Sequence, residues 1–213
     1  MKSIGAYWAL LADVVPEERL EAFLAHLSDE RTFKRPHRVP TLAKDHPAYR
    51  ADGGYWGGAV WAPTNYMVLR GLTRLGKDDL AHAIARNHLD NVVLMFEKTG
   101  TVWENCAPES AAPGERAKAD FVGWTGLVPI AVLYEHVLGI RADVPKSLIV
   151  WDVRLLERHG ITRLPCGRAG AIDLLCEARK DPTARPAVWI TTTVPIELEL
   201  RWAGGCETMA VPA

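Results

Sequence analysis

The chain has 213 residues, 48% hydrophobic and 24% charged, an ordinary globular composition and long enough to bury a core without covalent staples. Its 25 Lys and Arg against 26 Asp and Glu leave a net charge of -1, which offers no electrostatic footprint for nucleic acid or an anionic membrane surface. Cys106, Cys166, Cys176 and Cys206 form no C-x-x-C pair and no zinc-type spacing, so they are expected to be reduced thiols packed as small hydrophobes, in keeping with a cytoplasmic protein.

A first helix is predicted from about Ser3 to Asp13. Ile4, Tyr7, Trp8, Leu11 and Val15 recur at helical spacing and Asp13 interrupts the apolar run, which favours a packed helix over a secretory leader. No stretch approaches the roughly 20 apolar residues needed to span a bilayer, so no membrane partner is expected. Pro16 opens a second helix with Glu17 and Glu18 in its first turn, where the helix dipole favours negative charge, and Leu20, Phe23, Leu24 and Leu27 form its apolar stripe up to Ser28. A long polar stretch follows, Asp29 to Ala62, punctuated by Pro36, Pro40, Pro47, Gly53, Gly54, Gly57 and Gly58. Loops of that length are usually functional or disordered, and the density of Tyr49, Tyr55, Trp56 and Trp61 speaks against disorder.

Pro63 starts a third helix that runs to Leu75, with Gly76 as its cap, and a fourth spans Asp78 to Phe96. After an irregular stretch from Glu97 to Lys118, a fifth helix is predicted from Ala119 to Leu138, closed by Gly139. Beyond it the periodicity changes. Ser147–Leu155, Gly160–Cys166, Gly170–Glu177, Ala187–Thr193 and Ile196–Trp202 alternate or are rich in β-branched residues, with Gly160, Gly167, Gly170 and Pro195 as punctuation. The expected fold is mainly α with C-terminal β: helical hairpins over residues 1–145 and a small antiparallel sheet as an appendage over residues 146–213.

Short and long connections alternate. Helices one and two, and three and four, are joined by about two residues and form antiparallel hairpins. Helices two and three, and four and five, are joined by the two long loops, which in an up-and-down array emerge at the same end. That layout is expected of an αα-toroid whose functional loops share one mouth.

Three segments carry candidate chemistry. In Gly54-Tyr55-Trp56-Gly57-Gly58-Ala59-Val60-Trp61-Ala62-Pro63-Thr64-Asn65-Tyr66, aromatic faces suit the C–H faces of sugar rings, glycines allow close backbone approach, and Asn65 can present an amide to hydroxyls; the same aromatics could equally cover the end of the helical core. In Gly100 to Glu109, Glu104 beside Trp103 suits a general base acting on water, set against the usual fate of a solvated glutamate, while Glu109 is expected to face solvent. In Asp120-Phe121-Val122-Gly123-Trp124-Thr125-Gly126, Asp120 could cap a helix and Phe121 and Trp124 could line a pocket or join the core. The seven histidines include no H-x-x-x-H or H-E-x-x-H arrangement and no phosphate- or dinucleotide-binding fingerprint occurs, so neither metal nor cofactor is expected.

Taken in order, the pattern YW-x-G-x-VW-x-x-x-NY, a helical hairpin, W-E and DF-x-GW resembles the C-terminal region of the (α/α)6-barrel glycosidases, the clan of family 63 α-glucosidases, trehalases and bacterial mannosylglycerate hydrolases. The resemblance covers about Phe33 to Ile140. It implies a partial (α/α)6 toroid, hydrolysis of an α-linked sugar with inversion, an oligosaccharide or glycoside ligand, Glu104 as general base, and Tyr55, Trp56, Trp61, Trp103 and Trp124 lining the sugar subsite, with Asn65 and Asp120 as further contacts. Gly57 stands where relatives often carry Arg, and Cys106 where many carry Tyr. The clan's general acid is an Asp from the earlier half of the toroid, for which this chain has no counterpart in context; Asp45 and Asp52 lack it. The resemblance thus implies the C-terminal part of such an enzyme, completed by self-association or by a complementary helical half. A non-catalytic sugar-binding or scaffold protein of the same descent is the alternative.

Overall fold

A computed structural model describes residues 1–168 and 170–213. Contacts divide the chain into two compact units, Met1–Val132 and Leu133–Ala213.

In the first unit, a 3-10 turn (Ile4–Trp8) runs into α1 (Ala9–Ala12), where one continuous helix was expected, and Asp13 closes it at φ 56. α2 (Glu17–Ser28) starts directly after Pro16 with Glu17 and Glu18 in its first turn. α3 (Ala62–Arg74) holds Pro63 in its first turn, and α4 (Asp78–Thr99) opens on Asp78 and Asp79 and ends on Gly100 at φ 73. The three residues Leu75–Lys77 make α3 and α4 a helical hairpin. α3 also packs on the first helical segment, so closely that a Cβ on Gly71 would lie 2.7 Å from Leu10 Cβ. Leu10, Leu27, Leu69, Leu72, Ile84 and Met95 are fully buried in this unit.

The long stretch between α2 and α3 is packed. Phe33, His37, Val39 and Ala43 are buried, and Phe33 meets Tyr7 edge-on at 5.5 Å. Isolated strand bridges run from Pro40 to Val60, from Val60 to Cys106 and from Cys106 to Pro113. Val60 and Cys106 exchange both backbone hydrogen bonds, at 2.8 and 3.0 Å. The two long loops therefore meet at one end of the helices, as the alternation of connection lengths predicts.

The expected fifth helix begins later than Ala119. Asp120 sits at φ 55 outside any helix, and the helical path starts with a 3-10 turn (Trp124–Leu127) followed by a π-helical segment (Val128–Val137). Gly123 before it and the left-handed Asp120 interrupt the pattern that periodicity alone would extend.

The second unit is a β-structure with β1 (Ile140–Asp143), β2 (Leu148–Asp152), β3 (His159–Cys166), β4 (Gly170–Cys176), β5 (Val188–Thr192), β6 (Ile196–Trp202) and β7 (Gly205–Val211). The C-terminal β-structure expected from sequence is present, as two sheets rather than one. One has the order β1-β2-β6-β7 and the other β3-β4-β5. All ladders are antiparallel except β2 with β6, which are parallel, and the long crossover that such a pair needs is the whole second sheet. β1 and β7 escaped the periodicity: Ile140–Asp143 follows the helix after two residues, and Gly205 and Cys206 carry little strand signal. Ile149, Trp151, Leu198 and Leu200 of one sheet share a buried cluster with Ile172, Leu174 and Cys176 of the other.

Candidate active site

Glu104 lies where the loops meet, held by its backbone. Its N–H donates to Lys118 O at 2.9 Å, and its carbonyl accepts from Trp124 Nε1 at 3.0 Å and from Thr125 Oγ1 at 3.3 Å. Thr125 Oγ1 also reaches Trp103 O at 2.8 Å, so one buried hydroxyl fixes both residues of the Trp-Glu pair. The Glu104 side chain is only 3% exposed. Oε1 lies 3.4 Å from the donating Tyr55 hydroxyl, and Oε2 has no hydrogen-bond partner among the described residues. A carboxylate oxygen in that setting can accept a proton from a hydroxyl brought against it.

The aromatics form one wall. Trp56 stacks on Trp61 with centroids 4.6 Å apart and planes 6° apart, and Tyr55 meets Trp61 edge-on at 4.8 Å. Trp61 contacts Trp124 at 5.6 Å, and Trp124 contacts Phe121 at 5.1 Å. Burial separates their roles: Trp61 is 1% exposed and backs the wall, whereas Trp56 and Trp124 remain 57% and 40% exposed and can offer faces to a ligand. The loop that carries Tyr55 depends on backbone freedom. Gly54 sits at φ 45 and Gly58 at φ 149, and a Cβ on Gly58 would lie 2.9 Å from Arg50 O. Tyr55 itself is left-handed at φ 57, a local strain that directs its ring and hydroxyl toward Glu104. Burial and the Glu104 carboxylate both push the Tyr55 phenol upward, so its proton stays on oxygen.

The other sequence candidates lie around this cluster in different settings. Asn65 is fully buried: Oδ1 accepts from Val39 N at 2.8 Å, and Nδ2 donates to Val39 O and Trp61 O, both at 3.1 Å. Trp103 packs against the buried cluster that contains Val60, Met95 and Val128, and donates from Nε1 to Thr99 Oγ1 at 2.9 Å. Asp120 caps no helix; its Oδ1 accepts from Thr101 Oγ1 at 2.5 Å.

Glu109 departs from the expectation of a solvated side chain. Arg35 grips it with two hydrogen bonds of 2.8 Å, and the Tyr49 hydroxyl donates to Oε1 at 2.6 Å. The Arg35 guanidinium, then Tyr49, hold the Glu109 carboxyl below its ordinary range, and burial with Glu109 pushes the Tyr49 phenol up. This clamp joins the two loops from a side remote in sequence, and no local pattern announces it. Nor does sequence announce the pairing of His37 with His88, both buried, whose Nε2 and Nδ1 lie 2.7 Å apart. Burial, with the neighbouring ring for His37, holds His37 well below its usual value and lowers His88 to about 4.

A buried glutamate thus lies against an aromatic wall where the two long loops meet. The chain belongs to the family described as mannosylglycerate hydrolase MGH1-like glycoside hydrolase domain, whose model matches residues 1–125. It is 24% identical over 175 residues to an uncharacterized protein of Borreliella burgdorferi, covering 77% of this chain and 37% of that one. It is 30% identical over 93 residues to Alpha-glucosidase 2 of Arabidopsis thaliana, covering 39% of this chain and 12% of that one. Among solved structures it resembles the GH63 mannosylglycerate hydrolase of Thermus thermophilus. In the complex of that enzyme with Tris the identity is 26%, the TM-score 0.43 and the coverage 53% of this chain and 26% of that one. In its complex with glucose the values are 24%, 0.48, 62% and 29%. The chain spans little more than a third, or less, of the length of these relatives.

Proposed function

We propose that this chain is the C-terminal part of an inverting glycoside hydrolase acting on α-linked glucosides or mannosides, with Glu104 as general base. The observation that carries the proposal is the unpartnered, buried Oε2 of Glu104 beside an aromatic wall with two open faces. Tyr55 holds Oε1, which leaves Oε2 to take the proton of a water attacking the anomeric carbon from the face opposite the leaving group. Trp56 and Trp124 offer the sugar ring its stacking surfaces, backed by Trp61. Asn65 supports the wall through the Trp61 carbonyl, and Trp103 and Asp120 are further contacts of the subsite in this proposal.

Inversion requires a second carboxyl group roughly 6.5–9.5 Å from the first, held protonated until it donates to the leaving oxygen. A general acid needs a raised pKa. Asp45, Asp52 and Glu109 are all held below their ordinary range, by Lys2, Arg50 and Arg35 respectively, and so are poor acids. In this proposal the acid comes from a complementary helical half of an (α/α)6 barrel or from a second copy of the chain. A cytoplasmic setting is part of it, supported by four free cysteines. The same three depressed carboxyls favour a second reading, in which the site binds a sugar without cleaving it.

The test is hydrolysis of mannosylglycerate, maltose and trehalose, followed by proton NMR, by the chain joined to the helical half that completes the barrel and by the chain at concentrations where it self-associates. The expected first product is the inverted β-anomer, and Glu104→Gln should lower turnover by about 10²–10⁴-fold. Undiminished turnover in Glu104→Gln refutes the assignment. Saturable sugar binding without turnover selects the second reading.

A further inference from the structure

The second unit carries a different kind of surface. In β4, Ile172, Leu174 and Cys176 are buried in the core, so Asp173 and Leu175 face the other way. Their cross-strand partners on β5 are Thr191 and Trp189, and Leu175 stands opposite Gly160 of β3. One row across the outer face therefore holds a residue without a side chain, an aliphatic floor and an indole that is 67% exposed. The next row holds Asp173 and Thr191. Together they line a hollow of about 550 Å³, which Arg158 also lines. That volume lies within the ordinary range for small-ligand sites.

The hollow is built. A Cβ on Gly160 would come within 2.1 Å of Leu174 O, so β3 approaches β4 there as closely as only glycine allows. β3 bulges between Ile161 and Leu164, with Arg163 at φ 58, and this brings the Arg163 N–H to within 2.6 Å of Asp173 Oδ1. Asp173 Oδ2 accepts from Thr191 Oγ1 at 3.3 Å. The carboxylate is thereby fixed on the open face while both oxygens keep further acceptor capacity. Diagonal neighbours on adjacent strands lie roughly 7–8 Å apart, which sets the Asp173–Thr191 pair about one sugar ring away from Trp189.

We propose that this hollow is a second, non-catalytic sugar-binding site. The exposed indole of Trp189 stacks on the C–H face of a pyranose ring, and Asp173 accepts hydrogen bonds from its hydroxyls. One carboxylate and one guanidinium, the latter already paired with Glu177 at 3.3 Å, suit an uncharged polyol better than a phosphorylated or strongly acidic ligand. The proposal is independent of Glu104, because every residue it uses lies in the second unit.

Fluorine NMR of the full chain labelled with 5-fluorotryptophan tests it, since the eight tryptophans report both sites in one spectrum. The Trp189 signal is assigned with Trp189→Phe, and the titrants are maltose, trehalose and methyl α-mannopyranoside. The expected result is a saturable shift of the Trp189 signal that persists in Trp56→Ala. Asp173→Asn keeps an acceptor for the Arg163 N–H and so keeps the fold; it should weaken the binding at least fivefold, as should Thr191→Val. A Trp189 signal that none of the three sugars moves overturns the proposal. So does an affinity unchanged by both variants, or a shift that follows protein concentration instead of sugar, which marks a protein interface. The Trp56 and Trp124 signals judge the Glu104 site separately.

Discussion

Replacing Asn65 by alanine removes one amide that pairs three backbone groups. Trp61 O keeps partners, because it also accepts from Asn65 N at 3.1 Å and Thr64 Oγ1 at 3.0 Å. Val39 is different: it is fully buried and loses both the acceptor for its N–H and the donor to its carbonyl. Each orphaned buried group costs about 1–3 kcal/mol, so the expected destabilisation is about 3 kcal/mol, concentrated where the 29–61 loop meets α3. Because about 1.4 kcal/mol is a factor of ten, protection of the Val39 amide in native-state hydrogen exchange should fall by about a hundredfold. Sugar binding should weaken only as the loop loosens. Protection that changes less than fivefold would refute this account of Asn65, and a loss of sugar affinity at unchanged protection would establish it as a direct ligand contact.

Three further outcomes follow from the geometry. The Glu109 carboxyl is held low in the folded chain, first by Arg35, so its contribution is present above the unfolded carboxyl pKa, about 4.3, and is lost as pH falls through the depressed folded value. The unfolding free energy of Glu109→Gln from urea titrations should therefore be lower than wild type at pH 7, by about 1–3 kcal/mol, and should converge on it as pH falls below about 4. His37 and His88 are buried with depressed values, His88 to about 4, so the unfolded chain takes up protons that the folded chain refuses as pH drops below about 6.5. The melting temperature should fall between pH 6.5 and pH 4, and a His88→Gln variant should show a shallower fall; an identical slope would count against the pair. Gly58→Ala places a Cβ at φ 149 only 2.9 Å from Arg50 O, and should cost about 2 kcal/mol and shift the near-ultraviolet signal of the stacked tryptophans.

Helical periodicity, Pro16, Pro63 and Gly76 made α2 and α3 legible to within a residue and α4 at its start, because helix ends obey local rules, while α4 runs on to Thr99 where Phe96 was expected to end it. The lengths of the connections predicted that the two long loops meet, and the Val60–Cys106 bridge is where they do. Glu104, Tyr55 and Trp56 stood out as residue types suited to one chemistry at one mouth. Local rules could not divide the aromatics into roles. Trp56 and Trp61 are equally apolar in sequence, yet stacking leaves one with an open face and buries the other. The Asn65 amide pairs with Val39, and Glu109, which looked solvated, is gripped by Arg35, from 26 and 74 residues away. The sequence alone thus determined which elements form and which residue types gather at the loop end, since propensity, capping and periodicity act over a few residues. The tertiary structure alone decided which carboxylate keeps an oxygen unpartnered and which is gripped by a guanidinium, because burial and pairing depend on groups that the chain brings together only when it folds.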